Sequence, residues 1–125
     1  MTLKDNFFQI KERCKTTTGM DYTIQLNAEH FIYEAHFPNN PITPGVCIIQ
    51  IIKELTMEML HKNLFLKKLH NVKFLNVINP VENREVVFSI SILSENEDTY
   101  KVNAVVYNET AQFAKLSMLF TNNEL

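Results

Sequence analysis

The chain is poor in the residues that would place it in several common classes. Its 125 residues include only two cysteines, Cys14 and Cys47. They form no metal-ligand spacing, and free thiols in a cytoplasmic protein are the better reading than a disulfide. Cys47 reads as a small buried hydrophobe. A long apolar run is missing as well. The longest near-apolar stretch, Val46–Ile52, is broken by Gln50 and followed by Lys53 and Glu54, which is too short to span a bilayer. Neither charge sign is in excess: 12 basic residues face 14 acidic ones, for a net charge of −2, so nothing at whole-chain level argues for nucleic acid. The opening residues, MTLKDNFFQIKERCK, carry charges throughout and hold no apolar signal core; a cytoplasmic location is the expectation. Glu29, His30, Glu34 and His36 match no common metal spacing, so no metal is expected. There is no repeat, linker or low-complexity tract. A hydrophobic fraction of 46% and a charged fraction of 21% suit one soluble domain, residues 1–125, with a sizeable core.

Proline and glycine are scarce, and their placement is uneven. There are four prolines and two glycines; Pro38, Pro41, Pro44 and Gly45 all fall in the stretch HFPNNPITPG that opens at His36. Proline fixes φ and restricts the residue before it, so this segment is held extended and kinked. A helix-length apolar run, Val46 to Leu60, follows at once. Pro44 suits a helix N-terminus. Gly45 has no Cβ, so its amide can approach a ligand closely. A helix start offers unpaired N–H groups and partial positive charge, which suit an oxyanion or a polarised carbonyl. His36 is the one side chain of the loop that moves a proton near neutral pH.

The remaining elements follow from periodicity. Phe7 to Lys15 reads as a strand, with a short helix as the alternative, and Thr16–Gly19 as a turn. Tyr22–Leu26 alternates as a second strand. Ala28 to Tyr33 fits one helical turn capped by Asn27. The central helix should end near Asn63, with Ile48, Ile49, Ile52, Leu55, Met59 and Leu60 on its apolar side. Gln50, Glu54, Glu58 and Lys62 recur at i, i+4 as a polar stripe, whose plain reading is a solvated face. Residues 61–73 carry Lys62, Lys67, Lys68 and Lys73 without an acid; they read as a solvated connection leading to a strand over Val72–Ile78, or as a positive patch near a substrate mouth. Val86–Leu93, Tyr100–Tyr107 and Gln112–Phe120 complete an antiparallel meander. Periodicity alone indicates an α+β protein with one helix on one sheet.

His36-Phe37-Pro38, then Pro41-Ile42-Thr43-Pro44-Gly45-Val46, then a helix, resembles the active-site signature of the β-hydroxyacyl-[acyl carrier protein] dehydratases. That pattern is roughly G-H-F-P-x-x-P-[IV]-x-P-G-[VC], with a catalytic Glu or Asp five residues after the glycine. The resemblance implies a hot-dog fold, a curved antiparallel sheet wrapped round one long helix. It also implies a site shared across a homodimer or higher oligomer, or across a pair with a homologous subunit. The implied substrate is a 3-hydroxyacyl thioester of acyl carrier protein or coenzyme A, handled in fatty-acid or related synthesis without a cofactor. Two departures stand out. Ala35 replaces the usual glycine, and Gln50 occupies the acid position while Glu54 stands where the family commonly has Gln.

The implied roles are His36 as base and the Gly45 amide as the donor to the thioester oxygen. Gln50 and Glu54 are the candidates at the departing hydroxyl. Gln50 donates a hydrogen bond but no proton; Glu54, one turn on, is either a displaced acid or a residue of the solvated face. Phe37, Pro44, Val46, Ile49, Phe31 and Tyr33 are the expected substrate-lining residues. Alternatives to an active dehydratase are a non-catalytic hot-dog partner that has lost the family acid, and an acyl thioesterase.

Overall fold

The computed structural model describes residues 2–124. Its elements are β1 (Phe8–Lys15), β2 (Gly19–Leu26), α1 (Ile32–Ala35), α2 (Gly45–Leu60), β3 (Phe65–Phe74), β4 (Glu85–Glu95), β5 (Thr99–Tyr107) and β6 (Gln112–Thr121). The strands form one six-stranded antiparallel sheet in the order β1-β2-β4-β5-β6-β3. It curves round α2, as the hot-dog expectation requires.

The burial pattern explains the wrapping. On α2, Cys47, Ile48, Ile51, Ile52, Leu55 and Thr56 are buried, a stripe one helical face wide. Strand residues of matching phase meet it: Tyr22, Ile24, Phe88, Ile90, Val102, Ala104, Leu116 and Met118 are all buried. Each fully buried large aliphatic side chain stabilises by about 1.5–3 kcal/mol. Tyr22 also donates its hydroxyl to the Leu55 carbonyl at 3.3 Å. Gly19 shows why β2 and β4 lie so close there: a Cβ at Gly19 would stand 1.9 Å from the Ile90 carbonyl oxygen.

Three elements differ from their sequence expectation. The short helix lies at Ile32–Ala35 instead of 28–33, because Asn27 Oδ1 accepts the Glu29 N–H at 3.1 Å and turns the chain first. The central helix stops at Leu60, where His61 takes a left-handed conformation (φ 53°, ψ 45°) and closes the last turn onto Glu58 O and Met57 O. Strand β3 starts at Phe65 and ends at Phe74, so the lysine-bearing segment is itself strand and not a connection. Register shifts at Leu66/Lys68 and Leu69/Asn71 interrupt its alternation, which hides the strand from a period-two reading. Residues after Phe74 leave the sheet; Ile78 is buried and Asn79 organises a turn by accepting the Val81 N–H at 2.9 Å.

Candidate active site

The loop from His36 to Thr43 is pinned at both ends. The His36 N–H donates to Ile32 O at 3.1 Å, closing α1, and the His36 carbonyl accepts the Ile42 N–H at 2.8 Å. Within the loop, Phe37 and Asn40 exchange backbone hydrogen bonds at 3.2 and 3.0 Å. The Thr43 N–H reaches Ile78 O at 2.9 Å, and the Tyr33 and Thr43 hydroxyls bond each other at 2.8 Å. Burial pushes the Tyr33 phenol well above its ordinary pKa, so it stays a neutral tether. The His36–Phe37 peptide bond is cis, and the two rings meet edge to face with centroids 5.6 Å apart.

Pro44 is the N-cap of α2 in extended geometry (φ −63°, ψ 146°). The first intrahelical donors are Cys47 and Ile48, both to Pro44 O, at 3.0 and 3.2 Å. Gly45 and Val46 precede them, so their N–H groups belong to the unsatisfied set at the helix start. No acid lies in the first turn, and the partial positive charge there is not offset locally.

His36, Phe37, Ile42, Thr43, Pro44, Gly45 and Ile48 line a cavity of about 620 Å³, and its other wall is Phe74 to Ile78. His36 is exposed. The Phe74 ring is packed onto Gly45, where an added Cβ would stand 2.7 Å from ring atom Cζ. Of the polar side chains at this cavity, Thr43 is bonded to Tyr33, and Asn76 donates to Gln112 O at 2.8 Å. No carboxyl group lines it among the described residues.

The residues singled out in the sequence divide accordingly. His36, Phe37, Pro44 and Gly45 share the cavity. Val46 is 70% exposed outside it. Ile49 packs half-buried against the core. Phe31, 72% exposed, stacks on His30 with centroids 4.4 Å apart. Tyr33 is buried, stacked on Phe7 at 5.2 Å; it anchors the loop and does not line the cavity. Phe74 and residues 75–78 went unsuspected, and the one local hint was the glycine at 45, which makes room for the ring.

Gln50 and Glu54 lie on another flank of α2. The Glu54 carboxylate accepts the Leu3 N–H at 2.8 and 3.1 Å, the Lys4 N–H at 2.8 Å and the Gln50 amide at 2.8 Å. Glu58 follows the same pattern, with Arg13 donating at 2.6 and 3.0 Å and Lys4 Nζ at 3.3 Å. The Arg13 hydrogen bond holds the Glu58 carboxyl below its ordinary pKa. Lys62 donates to the Tyr100 hydroxyl at 2.6 Å. The polar stripe is therefore clasped by Leu3, Lys4 and Arg13 of β1 at Gln50 to Glu58, where a solvated face was expected.

The family model described as ApeI-like, ApeI dehydratase, matches residues 11–115, a range that contains the whole His36–Gly45 loop and α2. The chain belongs to the ApeI-like dehydratase family. Curated relatives are more distant. The 3-hydroxyacyl-[acyl-carrier-protein] dehydratase FabZ of Latilactobacillus sakei subsp. sakei (strain 23K) is 26% identical over 95 residues, 70% of this chain and 68% of the relative. The FabZ of Syntrophobacter fumaroxidans is 25% identical over 97 residues, 71% of this chain and 65% of the relative. The chain thus spans about two thirds of the length of these relatives. Among solved structures, the dehydratase heterocomplex ApeI:P from Xenorhabdus doucetiae superposes with a TM-score of 0.68 at 15% identity, covering 90% of this chain and 96% of that one. A putative thioesterase from Silicibacter sp. TM1040 gives a TM-score of 0.61 at 13% identity, covering 95% of this chain and 81% of that one. These structural likenesses show the hot-dog fold. The departure from the dehydratase signature that matters most is Gln50 at its acid position.

Proposed function

We propose that this chain is the base-bearing subunit of a dehydratase acting on 3-hydroxyacyl thioesters. His36 takes the proton α to the thioester carbonyl. The charge that moves onto the carbonyl oxygen is held by the Gly45 N–H, a preorganised donor worth roughly 3–4 kcal/mol in the transition state. The C3–O bond then breaks, hydroxide leaves as water with a proton from an acid, and a 2-enoyl thioester remains. The observation that carries this reading is that His36 and the open start of α2 face one largely apolar cavity.

The acid is the missing part. Gln50 has no proton to give at neutral pH, and the Glu54 carboxylate is already committed to Leu3, Lys4 and Gln50. We therefore assign Glu54 to holding Leu3 and Lys4, and the acid to a second, homologous subunit. The ApeI:P dehydratase heterocomplex is a precedent for a dehydratase assembled from different chains. The exposed edge supports assembly: on the inner side of β3, Leu69 and Phe74 are 40% and 51% exposed, and an unpaired edge strand is a liability. The enzyme would work in the cytoplasm on chains carried by acyl carrier protein or coenzyme A; the first of these carriers is the one in the names of the FabZ relatives. A second reading, a non-catalytic partner subunit, is favoured by the same Gln50.

The deciding experiment follows double-bond absorbance and free thiol from 3-hydroxybutyryl thioester, using the protein alone and co-purified with a homologous dehydratase subunit from its host. Our reading expects enoyl product from the pair and loss of that product in His36→Ala of this chain. Undiminished turnover by the pair carrying His36→Ala would establish the non-catalytic role. Thiol release without enoyl absorbance would make the protein a thioesterase.

A further inference from the structure

The outer face of the sheet, opposite α2, carries an arrangement that the cavity does not use. Pairing places three rungs side by side across β3, β6 and β5: Lys68–Leu119–Lys101, Asn71–Ser117–Asn103 and Lys73–Lys115–Val105. These positions alternate with buried residues such as Leu116 and Met118, which fixes them on the outer face. Four exposed lysines thus frame a floor of amides and a hydroxyl, over a shallow pit of about 170 Å³ lined by Asn71, Asn103, Lys115 and Ser117. No acid occupies any of these rungs, and the β4 residues that continue them are serines. Lys73 and Lys115 stand directly opposite one another, a pairing that destabilises a sheet unless something else compensates. Among the described residues the ion pairs are Lys4–Glu58 and Arg13–Glu58, so none of the four lysines is paired.

We propose that this lysine frame is the docking surface for an acidic carrier protein that presents the acyl thioester. The inference rests on the dehydratase reading above and names how its substrate arrives. Charge complementarity selects the partner: a surface of one sign with a neutral hydrogen-bonding floor suits an acidic protein face. Nucleic acid fits poorly, since no aromatic side chain stands on the rungs for a base to stack on. Position supports the same choice. The Lys73–Lys115 rung adjoins Phe74, where the chain leaves β3 to form the cavity wall, so a partner seated there holds its thioester arm beside the site mouth.

The test compares one 3-hydroxyacyl group carried by the host's own acyl carrier protein, by coenzyme A and by N-acetylcysteamine, with the enzyme pair bearing Lys73→Glu/Lys115→Glu. Binding of the unacylated holo carrier protein is measured in parallel. Loss of electrostatic steering should lower kcat/KM for the carrier-bound substrate by about tenfold or more and flatten its salt dependence, with N-acetylcysteamine turnover unchanged. Holo carrier binding should weaken to the same degree. Unchanged carrier binding in the variant would overturn the proposal, and so would an equal loss with the coenzyme A thioester, which would make the lysines a small-phosphate site. If the pair dehydrates nothing, the dehydratase reading fails, while the binding measurement still decides the docking surface.

Discussion

At its first turn α2 leaves the Gly45 and Val46 N–H groups beyond its internal bonds, next to a cavity walled by Phe74. One to three turns further along, the same helix is closed over: Glu54 accepts two backbone amides from residues 3 and 4, and Glu58 is gripped by Arg13 and Lys4. The first region leaves polar groups unpaired where a substrate oxygen can use them. The second uses every carboxylate oxygen to fasten a distant piece of chain. Under the proposed function, reactivity resides where hydrogen bonding is incomplete, while Glu54, close to the expected acid position, has its hydrogen bonds already made to Leu3, Lys4 and Gln50.

The sharpest way to break this division is at the open end. His36→Ala should lower turnover of the enzyme pair by about 10²–10⁴-fold with little change in melting temperature, because an exposed loop ring contributes little to the core. A large thermal shift would instead make His36 structural. Gly45→Ala comes next. Its methyl group would stand 2.7 Å from the Phe74 ring, so the ring must move. We expect a loss of about tenfold in kcat, short of the roughly 10²–10³ that follows outright removal of an oxyanion donor because the N–H itself remains, and partial recovery in Gly45→Ala/Phe74→Leu. If Phe74→Leu recovers nothing, crowding by the ring is not the cause.

At the clasped flank the same kind of change should act on stability alone. Glu54→Gln replaces one acceptor oxygen by a donor NH2 facing donor N–H groups and should cost about 1–3 kcal/mol, seen as a drop of several degrees in thermal melting. Turnover below the melting range should persist; a loss to the level of His36→Ala would restore Glu54 as the acid. The smallest effect concerns Glu58. Its pKa is held down in the folded state, so its contribution is present above the unfolded value and is lost as pH falls through the folded one. Stability should decline below roughly pH 4, and Arg13→Ala should blunt that decline while removing about 1 kcal/mol or less near pH 7. An unaltered acid limb in Arg13→Ala would show that the pair contributes nothing.

The loop and the fold were legible for a common reason. His36 to Gly45 concentrates proline and glycine in one short window, and conformational restriction by proline is a local property. The apolar stripe of α2 and the alternation in β2, β4, β5 and β6 are likewise visible within single segments, and they already imply one helix against one antiparallel sheet. Strand β3 was not legible from its start, since two register shifts between Leu66 and Asn71 break the alternation that identifies a strand.

What sequence determined by itself was the proline-restricted loop, the helix it feeds and the phase of four strands. Tertiary structure alone decided that Phe74 packs on Gly45, that Tyr33 tethers Thr43 instead of lining the cavity, and that Glu54 holds Leu3 and Lys4. The physical reason is range. Periodicity and backbone restriction act over a few residues. The partner of a carboxylate is set by whichever segment the folded chain brings to it, and for Glu54 that segment lies 51 and 50 residues away.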